Sequence, residues 1–362
     1  MKLITKDEKT MRNLKNSKLA KLLSLTLALI FVLGAFAGCG KEPEVETTTE
    51  ATTTQAPKEK VITNPLTGEA GYSKKLLKNR PVFVVVENHP DARPQWGLTS
   101  SDIVWEMVAE GGITRMLLMY ADASRLPEKV GPVRSARHYF IDIAEGFDGI
   151  FVHFGYSPKA KSQIANHNVN NINGLVDNYF YRDSSRGVAS EHTSYTTNEA
   201  IKKAIENKEY RTEIKDDYKA PFKFNSKTKN LSAPCNELTV SYSSGYTYTY
   251  TYDKENTVYL SSLNGNKFVD SEGTQQNFEN IILCYTSITS MNDSKNRVDF
   301  DLSEGTGIYV SNGSYTEIIW KKGNSSDMMK FYNKNGDELS LNTGRTYIGI
   351  LDDSRESYNT IK

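Results

Sequence analysis

Hydrophobic and polar positions change their rhythm several times along the chain. Residues 22–37 are uncharged and mostly apolar, and a basic run precedes them: Lys2, Lys6, Lys9, Arg12, Lys15, Lys18 and Lys21. Residues 41–60 read Glu, Thr, Pro, Ala and Gln with Val45 as the one larger apolar residue, and such a stretch cannot bury enough surface to offset the entropy of ordering it. The run Pro81-Val82-Phe83-Val84-Val85-Val86 is continuous and β-branched, which predicts a strand buried on both faces. Residues 102–108 and 116–120 predict two more strands broken by Gly111-Gly112, and residues 150–154 another. Tyr139, Phe140, Ile143 and Phe147 fall at helical spacing within residues 135–147, and residues 197–210 predict a second helix capped by Thr197. Beyond residue 230 short strands alternate with turn signals such as Asn264-Gly265, Asn312-Gly313 and Asn335-Gly336. There Tyr246, Tyr248, Tyr250 and Tyr252 share one face of a strand, as a layer packed on its neighbours or as a row that stacks on sugar rings. The fold class this pattern predicts is an α+β N-terminal domain (64–221) followed by a smaller, mostly-β domain (230–351), with about 300 residues sufficing for two cores. A polar tail, 352–362, is expected to fray.

The order of basic, apolar and small residues at the start is that of a signal peptide. At about 1.5 Å per residue the apolar stretch reaches roughly 24 Å, short of the roughly 30 Å that a spanning helix needs. Phe36-Ala37-Gly38-Cys39 is similar to the lipobox of bacterial lipoproteins, with Phe where Leu is usual. The expectation is a signal over 1–38, cleavage before a lipidated Cys39, and a disordered stalk over 39–63 with a mean reach of roughly 25 Å. That places the body at the extracytoplasmic face of a bacterial membrane. An uncleaved anchor is the alternative. Beyond residue 38 acidic side chains outnumber basic ones by five, which gives no pull toward nucleic acid. Cys235 and Cys284 either pair in an oxidising compartment or sit as core thiols, the reading that the apolar run around Cys284 favours. No zinc-ligand spacing, HExxH, phosphate-binding loop, dinucleotide fingerprint or EF-hand loop occurs, so no cofactor and no metal is expected.

Several motifs carry a family resemblance: Glu87-Asn88-His89, Arg93-Pro94-Gln95-Trp96-Gly97-Leu98, Asp102-Ile103-Val104-Trp105-Glu106, Glu110-Gly111-Gly112-Ile113-Thr114-Arg115, Gly131-Pro132-Val133-Arg134-Ser135-Ala136-Arg137 and His153-Phe154-Gly155-Tyr156-Ser157-Pro158. They resemble the YerB-like bacterial lipoproteins, densely over residues 64–200 and more thinly after, through Ile319-Trp320-Lys321 and Thr343-Gly344-Arg345-Thr346. The resemblance implies a two-domain lipoprotein and brings no settled activity. His138 stands where the family often has proline. Residues 190–195 keep the His and Tyr of a family Pro-His-Asn motif without its Pro and Asn.

Candidate chemistry rests on Glu87, Glu106, Glu110, Arg115, Arg134, Arg137, His153, Arg182 and His192, mostly at strand ends or in loops. Arginine grips carboxylate or phosphate in bidentate fashion, so these residues make a candidate pocket for an anionic ligand such as a peptidoglycan peptide or wall phosphate. Internal Glu–Arg pairing is the equal alternative. A hydrolase or transferase would use Glu106 with Glu110 as an acid/base pair, or His153 and His192 as bases; structural roles for both histidines weigh more, and Glu106 on an alternating strand can simply face solvent. Ser157 before Pro158 reads as a helix cap rather than a nucleophile elbow, whose second glycine is Lys159 here. The third function class is an adaptor that offers its β domain to other envelope proteins.

Overall fold

The structure is a computed structural model that describes residues 61–362. Cys39, the signal and the stalk up to residue 60 lie outside the described residues; at the expected end of the stalk Ile62 accepts the Gly71 N–H and Thr63 bridges to Ala70, so these residues belong to the body. The described residues form one compact unit.

The N-terminal region mixes strands and helices. Strands β1 (Val82–Glu87), β2 (Ile103–Val108) and β3 (Thr114–Tyr120) are followed by α1 (His138–Gly146), β4 (Ile150–His153), α2 (Pro158–Asn166), β5 (Asn171–Asn173) and α3 (Asn198–Asn207). The C-terminal region is built from strands: β6 (Glu237–Ser243), β7 (Tyr246–Asp253), β8 (Val258–Leu263), β9 (Asn280–Thr286), β10 (Glu304–Ser311), β11 (Ser314–Lys321), β12 (Lys330–Tyr332), β13 (Thr346–Asp352) and β14 (Thr360–Ile361). Helix α1 starts later than its apolar spacing predicts. Arg137 is extended (φ −124°, ψ 150°) and Ala136 bridges to Tyr156, so the preceding residues belong to a ladder. Helix α3 is capped as expected, Thr197 Oγ1 accepting the Ala200 N–H at 3.0 Å.

The two regions share a sheet. Its main path runs β12-β11-β10-β9-β13-β2-β3-β1-β4-β5, and Ala233–Pro234 adds an eleventh strand against β11. Strand β13 lies parallel to both β2 and β9, so the last long strand of the chain joins the regions. Two cores exist, divided by sheet face rather than by sequence. Val82, Val84, Val104 and Leu118 pack with Leu238, Tyr248, Tyr250, Leu283 and Tyr347 on one face, where α3 adds Ile201 and Ala204. Phe83, Val85, Trp105 and Leu117 pack on the other with α1 (Tyr139, Phe140, Ile143), Ile282, Trp320 and Ile348. Strands with period-2 side chains feed both cores at once, which is why β1 is buried at every position.

Strands β6, β7, β8 and β14, with short strands Asn266–Lys267 and Asn277–Phe278, form a second sheet. Tyr246, Tyr248 and Tyr250 of β7 point into the core and Tyr252 is half-buried, so the tyrosine row is a packing layer. Residues 352–362 do not fray. Asp352 caps a 3-10 turn (Asp353–Tyr358) by accepting the Ser354 N–H, and β14 pairs with β6. Cys235 and Cys284 are buried and unpaired, as core thiols.

Candidate functional site

The candidate residues gather mostly where β1 ends, β3 begins and three loops fold back over them. Glu106 lies deepest. Rather than facing solvent it is fully buried on the face of β2 that meets the second sheet. Its carboxylate accepts from Tyr248 (2.9 Å), Tyr347 (2.9 Å), Asn88 (3.1 Å) and Thr114, while Tyr242 reaches its backbone carbonyl at 3.3 Å. Gly349, opposite Glu106 in β13, makes room for this: a Cβ there would sit 2.3 Å from the Tyr242 hydroxyl. Burial raises the Glu106 pKa above its ordinary value, and the Thr114, Tyr347 and Tyr248 hydroxyls oppose it. Such a group holds the fold together; it has no open face toward Glu110 for acid/base work.

Nearer the surface stands Glu87, the last residue of β1 and opposite Arg115 of β3. Segment 131–134 is laced against it: Pro132 accepts the Glu87 N–H, Arg134 donates its N–H to Val85, and Val133 donates to Ser194. Gly131 (φ +135°) allows this approach, since a Cβ there would lie 2.8 Å from the Ser194 carbonyl. The Glu87 carboxylate then meets Arg134 Nε at 2.8 Å, an ion-pair contact without hydrogen-bond alignment, and His192 Nδ1 at 2.8 Å. Arg134 Nη2 also donates to the exposed Glu191 at 2.9 Å, which holds the Glu191 carboxyl below its usual range.

A second cluster surrounds Glu110. Arg115 Nη2 lies 3.2 Å away, Arg137 Nε donates at 2.6 Å, and Arg297 Nε stands at 4.0 Å while its Nη1 donates to Asp293. Burial pushes the Glu110 carboxyl up, and Arg115, Arg137 and Arg297 together outweigh it and hold it down. Burial pulls Arg115 down to about 10, so it is charged at neutral pH. Arg115 and Arg134 therefore face different carboxylates and do not converge on one anion. Arg297 was invisible to sequence reading because it comes from the C-terminal region, in a hairpin loop without a motif.

The remaining candidates stand apart. His153 is fully buried, with Nδ1 2.7 Å from the Gly155 carbonyl and Nε2 3.1 Å from Asn171 Oδ1; burial lowers its pKa. Arg182 stacks on Phe154 at 4.6 Å and bonds the Ser190 carbonyl. Ser157 is the cap of α2, accepting the Ala160 N–H. His89 and Asp91, which sequence reading did not single out as ligands, come next to His192: one donor atom from each lies within 4.8 Å of the others. The motif containing His89 was the available signal, but its closeness to His192 is set by tertiary structure alone.

Comparison with known proteins places this arrangement. A family model described as protein of unknown function (DUF3048), N-terminal domain, matches residues 66–211, and the corresponding C-terminal-domain model matches residues 238–348. A Bacillus subtilis (strain 168) protein named "Putative lipoprotein YerB" is 36% identical over 334 residues, covering 90% of this chain and 94% of that protein. The crystal structure of YerB protein from Bacillus subtilis is similar with a TM-score of 0.73 and 37% identity, over 83% of this chain and 99% of that one. The chain belongs to the YerB-like, two-domain DUF3048 family.

Proposed function

We propose that this protein is a binding module of the bacterial envelope, tethered through lipid on Cys39 at the extracytoplasmic face, and that it takes an anionic envelope ligand at the Glu110 cluster. Among the described residues no helix is long and apolar enough to cross a membrane. The observation that carries the ligand reading is the charge imbalance at Glu110. Among the described residues three guanidinium groups lie within 4.0 Å of one carboxylate, Arg297 also pairs with Asp293 and Arg115 with the more distant charge of Glu87, and Arg297 Nε has no hydrogen-bond acceptor. A carboxylate or phosphate meets this excess positive charge at the partly exposed Arg297 guanidinium in a charge-assisted bond. Binding is favoured over cleavage because Glu106 and His153, the strongest acid/base candidates, are buried and bonded within the fold.

The test is titration of the full-length protein in detergent with muropeptides and with glycerol phosphate. Arg297→Ala should weaken binding by about 1.5–3 kcal/mol, roughly 10- to 150-fold. Its melting temperature should move little, because the Arg297–Asp293 pair is near the surface. No binding of either probe, or equal binding by Arg297→Ala, overturns the reading.

An adaptor role is the second reading, with a changed contact surface. Among the described residues three of the exposed large apolar side chains, Leu175, Val176 and Tyr181, lie in one N-terminal segment, while the C-terminal region exposes Tyr358 alone. Crosslinking from that segment in cells tests it; a captured envelope protein lost in Val176→Asp favours the adaptor.

A further inference from the structure

We propose that His89, Asp91 and His192 bind a divalent transition-metal cation of the zinc class, at a site independent of the anion reading. Two imidazoles and a carboxylate are a donor set suited to such an ion. Their donor atoms already lie within 4.8 Å of one another, although they come from turns far apart in sequence.

The fold holds both turns in place. His89 leads a 3-10 turn (Pro90–Ala92) whose carbonyls are gathered by one side chain: Arg186 donates to Asp91 at 3.0 Å, Ala92 at 3.1 Å and Arg93 at 2.8 Å. His192 ends the 3-10 turn Ser190–His192, tied by Arg182 at its first carbonyl. The rings of His89 and His192 stack with centroids 4.5 Å apart and planes 8° from parallel.

Glu87 is the strongest pointer. Its buried carboxylate lies 2.8 Å from His192 Nδ1. With the proton on Nδ1, shared with Glu87, Nε2 turns its lone pair outward. A carboxylate behind one imidazole nitrogen is the usual support of a metal-ligating histidine, because it fixes the tautomer and raises ligand basicity. Glu191 Oε1, 4.0 Å from His192 Nε2, is a further oxygen at the rim. Parallel rings point their lone pairs side by side, so ligation requires His89 to swing. Its side chain is 31% exposed and its Nδ1 accepts one bond, from the Asp91 N–H at 3.2 Å, which leaves that motion inexpensive. Asp91 is 53% exposed, so the remaining coordination position faces solvent.

The test uses the full-length protein in detergent after EDTA treatment, titrated with Co2+ and then back-titrated with Zn2+. One equivalent should give visible ligand-field absorption that Zn2+ abolishes. His89→Ala and His192→Ala should each weaken binding at least about tenfold, and Glu87→Gln by about 10- to 100-fold, with circular dichroism unchanged in His89→Ala. His167→Ala, which removes an exposed histidine paired with Glu145, should bind as wild type. Absence of one-to-one binding, or equal affinity in wild type and His89→Ala, overturns the site. Titration with muropeptides and glycerol phosphate reads the Glu110 cluster separately, so either proposal can fail alone.

Discussion

Glu106 brings the two regions into contact through single hydrogen bonds: Thr114 and Asn88 reach it from one side of the chain, Tyr248 and Tyr347 from the other. Because burial raises its folded pKa above the ordinary 4.5, the protonated form is the one the fold favours. Its stabilising contribution is full below about pH 4.5 and is lost as pH rises through the folded value. Glu106→Gln stays neutral, so its melting temperature should gain on wild type as pH climbs from 5 to 8. A difference that is constant with pH would mean that Glu106 does not titrate in this way. Glu106→Ala should be far more harmful, since the buried Tyr248 and Tyr347 hydroxyls lose the carboxylate they donate to, at about 1–3 kcal/mol for each group left unsatisfied. At this scale the sequence was legible in residue type and blind to depth. The alternation of β2 places Glu106 on one face correctly, but only the tyrosines of a distant strand decide that this face is dry. The rival reading of the arginines as internal partners was visible in the same motifs. Which carboxylate each one takes depended on loop closure over Glu87 and Glu110.

Elements were more legible than contacts, because their signals are local. The β-branched run of β1, the tyrosine alternation of β7 and the Thr197 cap each follow from backbone sterics or a neighbouring N–H, and each is seen. Thr197→Ala should cost about 1 kcal/mol, and Thr197→Ser or Thr197→Asn should recover most of it. Denaturant melts of the three variants check this; an unshifted midpoint in Thr197→Ala would mean that α3 is held by Ile201, Ala204 and Ile205 alone. Elements whose signal is not local do not show in the sequence. β14 has polar flanks and little hydrophobic pattern, and it exists because β6 offers an edge to pair with. The apolar spacing starts α1 too early for the same reason: Ala136 is drawn into a bridge with Tyr156, which no helical period reveals.

At the scale of the whole molecule, α+β character in the first region and strand character in the second are both legible, but the way they join is not. Each strand's alternate side chains enter different cores, so the cores follow the sheet faces and neither belongs to one region. The consequence turns on β13. It covers the edge of β2 along five paired positions, Ile103 to Met107 against Thr346 to Ile350, and brings Tyr347 to Glu106. A fragment of residues 61–226 keeps β1 to β5 and the three helices, yet it leaves the β2 edge unpaired and apolar, a template for aggregation. It also leaves Glu106 without Tyr248, Tyr347 and Tyr242. The fragment should therefore melt without cooperativity and bind a hydrophobic dye when expressed alone. Co-expression with residues 227–362 should restore a cooperative transition and a one-to-one complex on gel filtration, because the second fragment supplies β13 and the tyrosines together. A fragment 61–226 that unfolds cooperatively by itself, with dispersed amide resonances, would show that the first region closes its own core and that β13 is an addition to a finished fold.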